Sequence, residues 1–312
     1  LFSKAPKSFI CAKALARMGV PMSEIKLTEH AVLKNVGGVP YVSFPILEQF
    51  PYVRHGFSTR LGGVSSGIFE SMNLGFRRGD YEDLVMENYE RICHSIGIEV
   101  DNLVFTDQVH KTNVRVATAS DRGMGIKKKN VHTEIDGHIT NESDVSLLTF
   151  SADCVPLFFL DPVNKAIGLT HSGWRGTVSK IGKVTVEQMN KEYGSRAEDI
   201  IVVIGPCICK DCYEVSEDVA EEFMTHFTKE QWENFLFQHA KKSKEGQKYQ
   251  LDLWEANYQL LREAGVTSEH IVKSGLCTMC RQDLFFSHRG SKGQRGSLAG
   301  FMSLSLPDVN KE

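Results

Sequence analysis

From about residue 39 onward, the alternation of apolar and polar positions divides the chain into short strands and amphipathic helices. Residues 39–44 form a β-branched and aromatic run that predicts a strand. Beyond Asp80, the positions Val85, Tyr89, Ile92 and Ile96 recur at helical spacing, with Gly97 placed to end the helix. Residues 103–106 predict a strand, and 114–117 the strand that returns beside it. Three more apolar runs follow at 145–150, 155–160 and 166–169. The turn Asp161-Pro-Val-Asn164 has the residues to join the last two as a hairpin. A helix is expected from Gly173 to about Tyr193, then a buried strand at 201–204. Ser216 is placed to cap a helix that turns Val219, Phe223 and Phe227 inward, and Asp252 with Glu255 forms a capping box for another. A final strand is expected at 298–304.

This order is mixed α/β (α+β): a single domain of mixed β-sheets flanked by helices, with chemically interesting residues at strand ends. The regular alternation of a doubly wound fold is missing, as are the GxGxxG and GxxxxGK[ST] phosphate cradles. Residues 1–38 are expected to be an N-terminal extension, with a short helix from Ser8 to Met18. The chain opens on Leu1 rather than Met, which fits a fragment- or tag-derived segment. The catalytic domain is expected over 39–306.

Bulk properties narrow the function. The formal net charge of -3, with acids and bases intermixed over 312 residues, gives no electrostatic footprint for nucleic acid. No apolar run approaches the roughly 20 residues of a membrane helix. No secretory leader is visible, and eight cysteines are too sparse for a disulfide scaffold. They read as reduced thiols in a cytoplasmic protein. The oligomeric state is not encoded in any of these features.

Candidate chemistry gathers around the hairpin. Cys154 stands just before the strand at 155–160 and His171 just after the strand at 166–169, so antiparallel pairing makes them neighbours. His110 lies past the end of the strand at 103–106. Three nitrogen and sulfur ligands with a fourth position open is the arrangement of a catalytic zinc. The same residues also allow a Cys154 nucleophile with His110 or His171 as base and Asp153 nearby. A second group, Cys207, Cys209 and Cys212 with Cys277 and Cys280, reads either as a closed four-thiolate zinc site or as small buried hydrophobes. Its irregular spacing favours the second reading. Eleven histidines without a His-x-His pair make a multinuclear copper centre hard to build. Zinc suits two imidazoles and a thiolate better, although copper can displace it in vitro. The Gly- and Ser-rich loop around Arg60, and the segment His171-Ser-Gly-Trp-Arg-Gly176, both have the character of anion sites.

Several blocks together resemble one family. They are His55-Gly-Phe-Ser-Thr-Arg-Leu-Gly-Gly63, Gln108-Val-His110, Ala152-Asp-Cys154, His171-Ser-Gly-Trp-Arg-Gly176, Gly205-Pro-Cys-Ile208, Cys212-Tyr-Glu-Val215, Cys277-Thr278 and Phe285-Phe-Ser-His-Arg289. In this order, over roughly 40–305, they are similar to the laccase-domain family, also called the multicopper polyphenol oxidoreductase family. The resemblance implies one mixed α/β domain with zinc held by His110, Cys154 and His171. It implies phosphorolysis of adenosine, inosine, guanosine and methylthioadenosine, with adenosine deamination beside it. Bacterial relatives are also linked to peptidoglycan editing. The partners are then a purine nucleoside and phosphate. On this reading Arg60 is expected to hold phosphate, supported by Ser58 and Arg175, and Asn73 or Gln108 to bind the nucleoside. Cys207, Cys209 and Cys280 fall outside the family pattern. Two rivals remain open at this point: a copper-dependent polyphenol oxidase, which is the activity behind the family's name, and a non-catalytic zinc-stabilised module.

Overall fold

The computed structural model describes residues 24–240 and 246–305, so the helix expected between Ser8 and Met18 lies outside the described residues. In chain order the strands are β1 (Glu24–Lys26), β2 (Val32–Val36), β3 (Val39–Ser43), β4 (Val53–Ser58), β5 (Leu103–Phe105) and β6 (Val114–Val116). They continue with β7 (Gly137–Thr140), β8 (Ser146–Ser151), β9 (Val155–Asp161), β10 (Ala166–Ser172) and β11 (Ile201–Ile204). The last are β12 (Glu214–Ser216), β13 (Leu236–Gln238), β14 (Lys248–Leu251), β15 (Ile271–Lys273) and β16 (Leu298–Leu304). Among the described residues they form a seven-stranded sheet, β1-β2-β3-β4-β16-β8-β5, and a six-stranded sheet, β15-β11-β9-β10-β7-β6. Strands β12-β14-β13 make a small third sheet.

The two large sheets pack face to face, and the period-two pattern of β9 shows why. Phe158 and Leu160 point toward Phe57, Leu147 and Met302 of the seven-stranded sheet. Leu157 and Phe159 point the other way, onto Val186 and Met189 of the helix Ile181–Tyr193 and Leu260 of the helix Leu253–Glu263. The helix Glu82–Ile96 covers the outer face of the first sheet. Its Val85, Tyr89, Ile92 and Ile96 meet Tyr41, Leu148 and Phe301. Gly97 ends it at φ 80°, donating back to Cys93 and His94 carbonyls. Burial on both faces explains why β9 and β10 read as continuous apolar runs rather than alternating ones.

Three local expectations are corrected. Strand β6 does not return beside β5: it crosses to the other sheet and lies parallel to β7, while β5 lies parallel to β8. The predicted helix from Gly173 is two helices, Trp174–Val178 and Ile181–Tyr193, because Lys180 between them sits at φ 62°. Ser216 does stand at a helix start, but its hydroxyl donates to the Asp218 carboxylate and makes no cap hydrogen bond. Residues 24–36, inside the expected N-terminal extension, form β1 and β2 and hydrogen-bond in register onto β3.

Candidate metal centre

The β9–β10 hairpin places the first two site residues. Its register pairs His171 with Pro156 and Ser172 with Val155, so Cys154 emerges beside the end of β10. The turn is held by Asp161, whose Oδ1 accepts from the Val163 and Asn164 amides at 2.8 and 3.1 Å. His110 comes from the loop after β5, with its backbone at φ 63°. Its ring lies edge-on to His171, the centroids 4.8 Å apart. One ligand atom each from His110, Cys154 and His171 falls within 4.8 Å of the other two. Gly173 makes the close approach possible: a Cβ there would stand 2.8 Å from His110 Cδ2 and 3.2 Å from Cys154 Sγ.

Asp136, just before β7 and fully buried, organises this centre and carried no marked signal in the sequence. Its Oδ1 accepts from His171 Nδ1 at 3.0 Å and from the His110 amide at 2.9 Å. Its Oδ2 accepts from the Val109 and Lys111 amides at 3.1 and 2.9 Å. Burial alone would raise this carboxyl, but His171 and the amide donors hold it below the ordinary carboxylate range. With Nδ1 engaged by Asp136, His171 presents Nε2 to the centre, the carboxylate–histidine pattern of metal sites. Burial would likewise push the Cys154 thiol up, yet the two imidazoles bring it down to about 6. Burial opposes charge on His171, but the thiolate and Asp136 together raise it to about 9. Two nitrogens and an ionised sulfur, braced from behind by a carboxylate, suit a divalent transition ion.

Asp153, a neighbour in sequence, takes no part in orienting an imidazole. Its carboxylate accepts from Thr278 Oγ1 at 2.6 Å and from the Arg289 amide at 2.7 Å, pinning two loops instead.

The triad forms the floor of a cavity of about 520 Å³. Phe76, Phe105 and Phe150 give it an apolar wall, and Arg77, Arg78, Lys128, Lys129 and Arg295 a cationic one. Arg295 is the informative member. It is only 9% exposed, makes no ion pair with a described carboxylate, and leaves its Nε without a partner. Burial and the nearby Arg78 guanidinium lower it to about 10, so it remains a cation at neutral pH. It lies in a Gly-rich turn whose composition gave no hint of it.

Of the other expected site residues, only Gln108 lines this cavity. Its carboxamide pairs with the Phe150 backbone in both directions, at 2.7 and 2.9 Å, which fixes the loop that carries His110. Arg60 is placed elsewhere. Its Nε donates to Glu70 O at 2.9 Å, its Nη1 donates to Gln282 O at 3.2 Å, and its guanidinium lies over the Phe286 ring. Ser58 is buried and accepts from the Ala299 amide. Asn73 is buried and accepts from the Gly75 and Ser297 amides while donating to Asp80. These three hold loops together. Arg175 stacks on Trp174 and lines a shallow outer hollow beside His110 and Lys111, not the cavity.

Comparison with known proteins places these features in a family. A family model described as multi-copper polyphenol oxidoreductase laccase matches residues 54–305. Purine nucleoside phosphorylase YlmD of Bacillus subtilis is 39% identical over 252 residues, which cover 80% of this chain and 87% of that protein. Purine nucleoside phosphorylase LACC1 of Homo sapiens is 32% identical over 257 residues, covering 80% of this chain and 55% of that protein. The crystal structure of YlmD from Geobacillus stearothermophilus superposes with a TM-score of 0.77 at 31% identity, covering 92% of this chain and all of that one.

Proposed function

Because the chain belongs to the multi-copper polyphenol oxidoreductase laccase family, whose similar members carry the name purine nucleoside phosphorylase, we propose that it is itself a purine nucleoside phosphorylase. Its substrates are adenosine, inosine, guanosine and methylthioadenosine, it deaminates adenosine as a second activity, and it works with a zinc ion held by His110, Cys154 and His171. The observation that carries the reading is the cavity itself. It joins a two-imidazole, one-thiolate floor to an aromatic wall and a buried guanidinium whose Nη1 donates to Gly296 O at 3.0 Å while its Nε has no partner.

Each part has a task. In phosphorolysis the bond from ribose C1′ to the purine nitrogen breaks, a bond from C1′ to a phosphate oxygen forms, and the purine leaves with a proton. Phe76, Phe105 and Phe150 offer faces on which a purine packs. Arg295, with Arg78 beside it, holds the phosphate by charge-assisted hydrogen bonds, the part first expected of Arg60. Partial enclosure by protein strengthens these interactions relative to water. When bound, the divalent ion supplies Lewis-acid polarisation and activated water near neutral pH. Asp136 keeps the His171 proton on Nδ1, and Gln108 keeps the His110 loop in place.

The described residues gather two imidazoles at this centre, not the dense paired imidazoles a multinuclear copper cluster requires. The test is a product-by-product assay of protein purified without added copper, with adenosine and inosine, with and without phosphate. The expected result is phosphate-dependent release of purine and ribose phosphate, with inosine from adenosine beside it. Oxygen-consuming phenol oxidation that scales with bound copper, without nucleoside turnover, would contradict the proposal. So would unfolding on chelation in a protein that turns over no nucleoside, which is what a zinc-stabilised module predicts.

A further inference from the structure

The two Cys-x-x-Cys segments, far apart in sequence, meet at one point outside the cavity. The loop after β11 and the loop after β15 run side by side. An isolated parallel bridge pairs Cys207 with Cys277, the Cys207 amide donates to Leu276 O at 3.2 Å, and the Thr278 amide donates to Cys207 O at 3.0 Å. With the two loops side by side, Cys209 and Cys212 come close to Cys277 and Cys280. The four Sγ atoms lie within 4.8 Å of one another. Cys212 and Cys280 are 3.4 Å apart, and Cys209 and Cys280 are 3.9 Å apart. A tetrahedron of thiolates around an ion at the usual zinc–sulfur distance has edges of about 3.8 Å. A disulfide needs sulfurs at about 2.05 Å, so none joins these pairs.

Two further details separate this cluster from four packed thiols. Cys277 Sγ accepts backbone hydrogen bonds from Cys209 and Cys280, both at 3.3 Å, the kind of outer support that stabilises a metal-bound thiolate. Cysteines acting as small hydrophobes are buried, but Cys280 is exposed and Cys209 and Cys212 are half-buried. The fifth cysteine is set apart: Cys207 is fully buried and its Sγ turns toward its own neighbour, Ile208 O. That removes the ambiguity of five thiols for four positions.

We propose that Cys209, Cys212, Cys277 and Cys280 bind a second zinc ion, in a closed four-thiolate site that clips the two loops together. With all four positions filled by protein, such a site is structural rather than catalytic. What it braces is the approach to the other centre. The Ile208 amide donates to Asp153 O at 3.0 Å, and Thr278 Oγ1 donates to the Asp153 carboxylate at 2.6 Å, one residue before Cys154.

The test is metal analysis of the whole chain purified under reducing conditions without chelators. Wild type is expected to carry close to two zinc ions, and Cys154→Ala and the double variant Cys209→Ser/Cys280→Ser close to one each. Because the double variant could fail to fold, cobalt-loaded Cys154→Ala supplies an independent readout. It is expected to show the visible bands of tetrahedral cobalt and thiolate charge-transfer absorption of four-sulfur intensity. Zinc content of one in wild type and none in Cys154→Ala would overturn the proposal. So would iron at the four cysteines, or a Cys212–Cys280 disulfide in reduced protein. Loss of nucleoside turnover with both ions retained would count against the proposed function and leave this site standing.

Discussion

Asp136→Asn is the most informative single change, because the geometry forces its consequences. The carboxylate of Asp136 accepts four hydrogen bonds, from His171 Nδ1 at 3.0 Å and from the amides of Val109, His110 and Lys111 at 3.1, 2.9 and 2.9 Å. Asparagine has the same shape but one acceptor oxygen, and its NH2 group must face two of those donors. If it faces Val109 and Lys111, the loop carrying His110 loses its anchor. If it faces His110 and His171, the imidazole is driven to the tautomer with its proton on Nε2, toward the centre. In the first orientation two part-buried amide donors lose their acceptor; in the second the shifted imidazole accepts at Nδ1, and the His110 amide alone is left unpaired. At about 1–3 kcal/mol for each unpaired donor, the cost is roughly 1–6 kcal/mol of folding stability. Loss of such an outer partner also weakens metal binding by about 10- to 100-fold. Urea unfolding of metal-free protein measures the first effect, and competition against a chromophoric chelator the second. A variant within about 0.5 kcal/mol of wild type in stability, and with metal affinity unchanged, would refute the role given to Asp136.

Three other changes probe different parts of the site. Gly173→Ala places a methyl group 2.8 Å from His110 Cδ2 on a backbone at φ -72° that alanine readily adopts. Metal affinity should fall by about tenfold or more, roughly 1.4 kcal/mol, while circular dichroism stays unchanged. Arg295→Met removes the buried guanidinium and should raise KM for phosphate by about 10- to 100-fold, as expected for one lost charge-assisted contact, with a smaller effect on nucleoside KM. His55 and His138 are buried and held down to about 4 and about 3, in both cases chiefly by burial. The unfolded chain therefore takes up their protons first, near an ordinary pKa of about 6.5. The stability associated with the neutral rings is present above that pH and is lost as pH falls toward 4, by up to about 1.4 kcal/mol per pH unit for each histidine. In urea titrations between those limits, His138→Leu should flatten the pH slope by about one proton, and an unchanged slope would contradict the assignment.

Much of this architecture is legible in local sequence. The β9–β10 hairpin, the Asp161 turn and the meeting of Cys154 with His171 follow from two apolar runs and one turn, because antiparallel pairing fixes who faces whom. The helix Glu82–Ile96 follows from its apolar stripe and its terminal glycine. Longer-range placement was not encoded in pattern. β6 joins the second sheet because its pairing with β7 is set by the sandwich, not by proximity to β5. Arg60 had the composition of an anion site, but the carbonyls of Glu70 and Gln282 occupy its guanidinium. Asp136 and Arg295 reach the site only through tertiary contacts, as an acid ahead of a strand and an arginine in an ordinary turn. The two Cys-x-x-Cys segments were visible, but nothing local showed that the loops carrying them lie side by side.

The most direct test of the central claim is phosphorolysis by matched samples of wild-type protein and Cys154→Ala, each with zinc content measured, supplied with adenosine or inosine and inorganic phosphate. Wild type is expected to release purine in a phosphate-dependent way, and the variant to lose that release together with the ion bound by His110, Cys154 and His171. Full phosphorolysis by a variant shown to lack that ion would contradict the claim.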